Sequence, residues 1–80
     1  IMAAATLTAV QQRQSPGGGY KYNPEYQVVI NDIHVVAISE FIDNNTKNVD
    51  DRFSVLITIS GSSIICKHTF AELQTLFPMT

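Results

Sequence analysis

Nucleophilic or acid–base chemistry in this chain would depend on one cysteine and two histidines. A nucleophilic Cys66 would need a partner base, and His68 lies close to it in sequence. No recognisable motif supplies an acid that would orient this histidine. We therefore expect Cys66 to be a buried structural thiol, and we expect no catalytic residue and no enzymatic activity.

Metal binding would need several ligands at a regular spacing. His34 could titrate near neutral pH, but no second ligand follows it at such a spacing. The aspartates Asp43, Asp50 and Asp51 do not match a calcium-binding loop, because no glycine supplies its sharp turn. A single cysteine excludes an internal disulfide framework. We expect no metal, no cofactor and no small-molecule substrate.

Composition limits the class of partner. The formal net charge is −2 with five Lys and Arg residues, which argues against a general binder of nucleic acid or anionic membranes. Only 15% of the residues are charged, which favours a surface partly covered by a second copy or another protein. No apolar run approaches the roughly 18 residues of a membrane span. Without a signal sequence or a disulfide, the expected location is cytoplasmic.

The most strongly patterned part of the chain is residues 53–77. Alternating apolar residues predict a strand from Phe53 to Ser60, and Gly61 predicts a tight turn before a second strand at residues 63–67. Thr69 and Glu72 have the spacing of a capping box, which predicts the start of a short helix. One face of this helix is apolar, formed by Phe70, Leu73, Leu76 and Phe77.

A second β-rich block covers residues 27–42. Asn31 and Asp32 predict a turn or bulge, and Ile33 to Ile42 then continues as a strand. Its nearly continuous apolar run favours burial on both faces, or burial on one face and a subunit interface on the other. Residues 43–51 are polar and predict an exposed connection.

The N-terminal part of the chain predicts little regular structure. Residues 1–24 are expected to be a flexible tail with a Gly-rich hinge, in which residues 3–14 could form a short helix. Residues 25–80 then form a single small β-rich domain. The predicted fold class is α+β, a small antiparallel sheet of three to four strands with one short C-terminal helix packed on it.

These observations favour a small non-catalytic interaction or regulatory module that self-associates as a homo-oligomer or binds another protein. The alternative is a nucleic-acid-binding regulator that uses the Tyr/Lys segment 20–26, whose rings could stack on bases. Such a segment could equally cover the end of a small core. The candidate interaction surface consists of Tyr20, Lys21, Tyr22, Tyr26, His34, Val36 and Ile38.

Residues 30–77 also resemble the small bacterial FlbD-like (SwrD-like) flagellar proteins. The order of their motifs is matched by Ile33, Val36 or Ile38, Glu40, Gly61, Ile64, Thr69, Phe70, Glu72 and Leu73. The chain departs from them in its longer 43–51 loop, its 24-residue extension, and Lys67-His68 where an acidic residue is usual. The resemblance implies a non-enzymatic interaction or regulatory role and assigns no functional residue.

Residues 68–76 are similar to one stretch of the phox-homology domain. The arginines that grip the phosphoinositide in that family are absent here, and the chain stops before the rest of that fold. A phox-homology-like lipid-binding fragment is therefore a remote alternative.

Overall fold

The computed structural model describes residues 4–78. Seven strands form a five-stranded antiparallel sheet and a separate two-stranded sheet, and one helix follows them. The large sheet has the order β4-β1-β7-β6-β5 and the small one pairs β2 with β3. The elements are β1 (Ala4–Val10), β2 (Gln12–Gln14), β3 (Tyr20–Tyr22), β4 (Tyr26–Asn31), β5 (Val35–Ile42), β6 (Val49–Thr58), β7 (Ser63–Cys66) and α1 (Phe70–Leu76). The class is α+β, with a larger sheet than the sequence predicted.

The fifth strand of the large sheet and both strands of the small sheet come from the N-terminal region, so the prediction of a flexible tail or short helix there is wrong for β1, β2 and β3. β1 lies between β4 and β7, and its residues Leu7 and Ala9 are fully buried. The apolar side chains of this strand alternate with Thr6 and Thr8, a period of two that suits a strand. Sheet pairing on both sides therefore outweighs the helix propensity of its alanines. Residues 1–3 lie outside the described part.

The five-stranded sheet must be rolled. Four strand spacings would place β4 about 19 Å from β5 in a flat sheet. Yet Asn31 of β4 and Val35 of β5 are joined by one short 3₁₀ turn, Asp32–His34. Four Cα steps span at most about 15 Å, so the two edge strands must approach each other at this end. The turn that the sequence predicts at Asn31 and Asp32 is thus the link that brings the edges of the sheet together.

The two faces of the sheet carry different cores. On the helix face, Leu73 of α1 and the residue after the helix, Phe77, pack into a cluster with Leu7, Leu56 and Cys66. On the opposite face, a second cluster is formed by Val10, Phe41 and Phe53, with Tyr22, Val55 and Ile65 packed against it. Both faces are therefore apolar around β6, which is flanked by β5 and β7 in the sheet.

The helix begins and ends as its sequence predicts. The hydroxyl of Thr69 accepts a hydrogen bond from the Glu72 amide at 3.1 Å, and the Glu72 carboxylate accepts one from the Thr69 amide at 3.0 Å. This confirms the capping box. Phe77 is the C-cap and Pro78 follows it. Within the described residues, no helix is long and apolar enough to span a bilayer.

An arm of residues 12–22, made of β2, β3 and their turn, extends the β1–β4 hairpin. Between the β1–β4 and β2–β3 ladders, Val10 and Gln11 lie opposite Asn23, Pro24 and Glu25. The extra residue on the Pro24 side is a bulge, which bends the hairpin where proline could not donate to a ladder. The molecule is consequently elongated, with extents of 47 × 21 × 19 Å.

Candidate interaction surfaces

Both ring nitrogens of His68 contact groups within the fold. Its Nε2 accepts a hydrogen bond from the backbone N–H of Thr8 at 3.1 Å. Its Nδ1 lies 3.6 Å from Oε2 of Glu72. The ring is thus the Nδ1–H tautomer, with each nitrogen directed at a group of the protein itself. No lone pair is left to take a proton from a nucleophile.

The Cys66 thiol and the Ser54 hydroxyl, the two potential nucleophiles near His68, also form contacts within the fold. Cys66 is fully buried, and burial raises the pKa of its thiol to about 11. The Cys66 thiol lies 3.7 Å from the carbonyl oxygen of Ile64, to which it donates. Ser54 is buried and donates its hydroxyl proton to the carbonyl oxygen of His68 at 2.8 Å. These side chains join β6, β7 and the helix start.

Glu72 connects His68, which is bonded to β1, with the first turn of α1. The hydrogen bond from the Thr69 amide is the largest cause of its lowered pKa, and a hydrogen bond with His68 lowers this pKa further. The carboxylate therefore serves both the helix cap and the imidazole. Among residues 4–78, no group of three or more His, Cys, Asp or Glu side chains is arranged to hold a metal ion.

The residues of the predicted interaction surface fall at two ends of the sheet. Tyr26 pairs with Ala9 at one end of the β1–β4 ladder, where the arm begins. His34 belongs to the 3₁₀ turn beyond the other end, and it is exposed rather than part of a strand. Val36 lies just after this turn and is 51% exposed, whereas Ile38 packs against the helix-face core. The predicted set is thus not one continuous surface.

On the arm, Tyr22 is part of the fold. Its ring stacks on Phe53 with centroids 5.0 Å apart and planes at 16°. Burial is the largest cause of its raised pKa, followed by the charges of Asp43 and Asp50. The rings that remain exposed in segment 20–26 are those of Tyr20 and Tyr26.

The tip of the β5–β6 hairpin holds the arm in place. The side-chain amide of Asn45 accepts a hydrogen bond from the Tyr20 backbone N–H at 2.8 Å and donates one to the Tyr20 carbonyl at 3.1 Å. Asn45 thus makes the two hydrogen bonds to the Tyr20 backbone that a neighbouring strand would otherwise make. A further bond joins Asn44 to Gln12 at 2.6 Å. The predicted exposed 43–51 connection includes this clamp, which the sequence pattern does not reveal, but residues 49–51 of it belong to β6.

β4 is the more open edge of the sheet. Within the described chain it pairs only with β1, so the backbone groups on its outer side have no strand partner. Its sequence, YQVVIN, contains no charge and no proline. Val29 lies on the face opposite the helix, across from Thr6, and is 64% exposed. In the sequence, Val29 could have been recognised as an apolar residue on the same face of β4 as the polar residues Gln27 and Asn31.

No family model, curated protein or solved structure matches this chain.

Proposed function

We propose that this protein is a non-catalytic interaction module that self-associates through β4. The observation that carries the proposal is the unprotected edge of this strand: six residues without a charge, a proline or a bulge in the β1–β4 ladder. Natural sheets usually block such edges with lysine, proline or bulges, because free backbone groups pair with any compatible strand. An edge left open in this way supports pairing as its role.

A second copy of β4 fits this edge by symmetry. Two identical strands related by a two-fold axis pair antiparallel, and each then satisfies the outer N–H and C=O groups of the other. This pairing would also cover Val29, whose exposed side chain lies on the edge strand. The two rolled sheets would become one continuous sheet, and the low surface charge of the chain would be explained by the buried edge.

The other edge is less suited to long strand pairing. The ladder between β5 and β6 has two register irregularities: one between Val35 and Ala37, with the extra residue on β5, and one between Glu40 and Ile42, with the extra residues on β6. Such bulges twist an edge away from a flat neighbour, and Glu40 adds a charge to the strand. The contrast between the two edges supports β4, and not β5, as the place where two copies meet.

Sedimentation equilibrium at micromolar concentrations tests this proposal. We expect a dimer for the native chain and a monomer for Val29→Lys, because a lysine on an edge strand opposes pairing. Ile59→Lys is the matched control, since Ile59 is 63% exposed but lies outside the strands. Circular dichroism of each variant reports whether the fold is retained. A monomeric native chain, or a folded Val29→Lys variant that is still a dimer, would refute the proposal.

A second candidate function, nucleic-acid binding by the arm, is favoured by one specific pair. Arg13 and Lys21 are direct cross-strand partners and both are exposed. Like charges at such positions repel, and phosphate groups would relieve this repulsion. A mobility-shift assay with labelled single-stranded DNA and RNA at low salt tests it. Loss of the shift in Arg13→Ala/Lys21→Ala would support it, and no shift with the native chain would eliminate it.

A further inference from the structure

Two adjacent clefts form a groove where α1 meets β5 and β6. Cleft 1 has a volume of ≈ 490 Å³ and is lined by Glu40, Val49, Asp51 and Phe53 together with the first turn of the helix. Cleft 2 has a volume of ≈ 320 Å³ and is lined by Ile38, Phe77 and Pro78. Phe70 lines both. Each cleft is large enough to receive one long side chain.

The spacing of the two clefts matches an extended peptide. Their β5 residues, Ile38 and Glu40, are two positions apart on one strand and face the same side, as their cross-strand partners Leu56 and Ser54 do. Residues with this spacing are about 6.8 Å apart along a strand. Alternate side chains of an extended segment beside β5 repeat at the same distance. One could therefore enter cleft 1 while another enters cleft 2.

The edge of β5 offers a short stretch of regular backbone beside the groove. Between its two irregularities, the residues from Ala37 to Glu40 pair in register with β6. On the other side, β5 has no strand partner within residues 4–78. A segment of a few residues can add to such an edge by main-chain hydrogen bonds, whereas a long strand would meet the bulges.

The chemistry of the clefts specifies the side chains that fit. In cleft 1, the carboxylates of Glu40 and Asp51 are exposed and make no hydrogen bond or ion pair to other described residues. Arg52 also lines cleft 1, but its guanidinium is paired with the Asp50 carboxylate through bonds of 3.0 and 2.7 Å, which leaves the charges of Glu40 and Asp51 unbalanced. The remaining walls are largely apolar. A lysine or arginine meets both conditions, because its stem packs on apolar surface while its charge reaches a carboxylate.

We propose that the groove binds an extended segment of a partner protein, which adds a short strand to the edge of β5. A basic residue of this segment enters cleft 1, and an aliphatic residue two positions away packs on Ile38 and Phe77 in cleft 2. This site lies on the opposite edge of the sheet from β4 and does not depend on self-association. A dimer formed through β4 would carry two such grooves.

Fluorescence polarisation with short labelled peptides tests the proposal. Both Ser-Leu-Thr-Arg-Ser and its reverse are needed, since a segment can add to an edge in either direction. We expect saturable binding of at least one peptide in the millimolar range, and none when glutamate replaces its arginine. Glu40→Gln should weaken binding about two- to fivefold, the effect of one exposed ion pair. Glu25→Gln, which removes a carboxylate paired with Lys67, should leave the affinity unchanged.

Amide chemical shifts locate the bound peptide. Shifts at residues 37–40 and at Phe70 would support the groove, and shifts centred on β4 or on the arm would refute it. Failure of both peptides to bind, or equal binding of the glutamate peptide, would also overturn the proposal. Repeating the titration with Val29→Lys separates the two proposals, because loss of the dimer should not change the affinity of each groove.

Discussion

The backbone N–H of Thr8 donates a hydrogen bond to the imidazole Nε2 of His68, across 60 positions of the sequence. Next to this bond, the amide of Lys67 donates to the carbonyl oxygen of Thr8 at 2.8 Å. The side chain of His68 therefore continues the ladder between β1 and β7 past the last backbone pair of the two strands. Through Glu72, it also connects β1 to the cap of α1.

The first prediction concerns this bond. His68→Ala should lower the free energy of unfolding by about 1–3 kcal/mol, because the partly buried Thr8 amide loses its acceptor. Urea denaturation measures the loss. His34→Ala is the control, since His34 is exposed and its side chain should contribute less than about 0.5 kcal/mol. Equal stability of the two variants would show that the imidazole does not support β1.

The second prediction concerns the thiol of Cys66. Burial raises its pKa from 9.0 to about 11, so the folded protein holds the thiol proton at pH values where the unfolded chain releases it. Stability should therefore fall as the pH rises from about 9 to about 11. The measurement is the difference in unfolding free energy between the native chain and Cys66→Ala, which removes the contribution of tyrosine ionisation. A difference independent of pH over this window would contradict the prediction.

The same burial predicts slow chemical modification. At neutral pH, Cys66 should react with iodoacetamide at a rate limited by opening of the fold, and unfolding in urea should restore the rate of a free thiol. Mass spectrometry of samples quenched at intervals follows the reaction. Rapid modification of the native protein would place the thiol at the surface, against its position in the helix-face core.

The third prediction concerns the helix cap. Thr69→Ala should lower the free energy of unfolding by about 1 kcal/mol, whereas Thr69→Ser keeps the hydroxyl acceptor and should cost much less.

Acid should destabilise the same helix cap through Glu72, whose pKa is lower in the folded state than in the unfolded chain. Its contribution is present above its ordinary pKa of 4.5 and is lost as the pH falls through the folded value. The acid sensitivity of Glu72→Gln should be correspondingly smaller.

The fourth prediction concerns the clamp on the arm. Asn45→Asp keeps an acceptor for the Tyr20 amide but places a carboxylate oxygen against the Tyr20 carbonyl. The arm should detach more often, and trypsin should cut after Arg13 and Lys21 faster than in the native chain. Asn48→Asp introduces the same charge in the same loop without removing a described side-chain bond, so it controls for charge. Equal cleavage rates in the two variants would argue that Asn45 does not hold the arm.

The sequence predicted the parts of the fold that depend on local signals. The capping box at Thr69 and Glu72 is present, and Gly61 takes a positive φ of 87° in the turn before β7. These features follow from side-chain and backbone preferences within a few residues. β1 was missed because its alanines favour helix locally, and only pairing with β4 and β7 makes it a strand. No local pattern contains that information.

The candidate interaction residues were also only partly predictable from local sequence patterns. Val36 was expected at an interface and is exposed, but Ile38 of the same apolar run packs against the core. The bulge between Val35 and Ala37 changes which side chains face inward, and the sequence of β5 does not reveal its position. The groove beside Phe70 was also missed, because it requires α1 and β5 to be adjacent. Long-range register, which periodicity does not encode, decides both cases.

The position of β1 has a consequence for how the protein folds. The pair that joins β1 to β7, Ala9 with Cys66, cannot form until the chain is in place as far as residue 66. Until then β1 has only its hairpin partner β4, and its other edge is open during folding. Pairings so distant in sequence make folding slow, because the chain loses the entropy of loop closure before the stabilising contacts form. A β1–β4 hairpin that formed first would expose both of its outer edges and the apolar residues Leu7, Val28 and Val29, so we expect it to be prone to aggregation, and dilution during refolding should raise the yield.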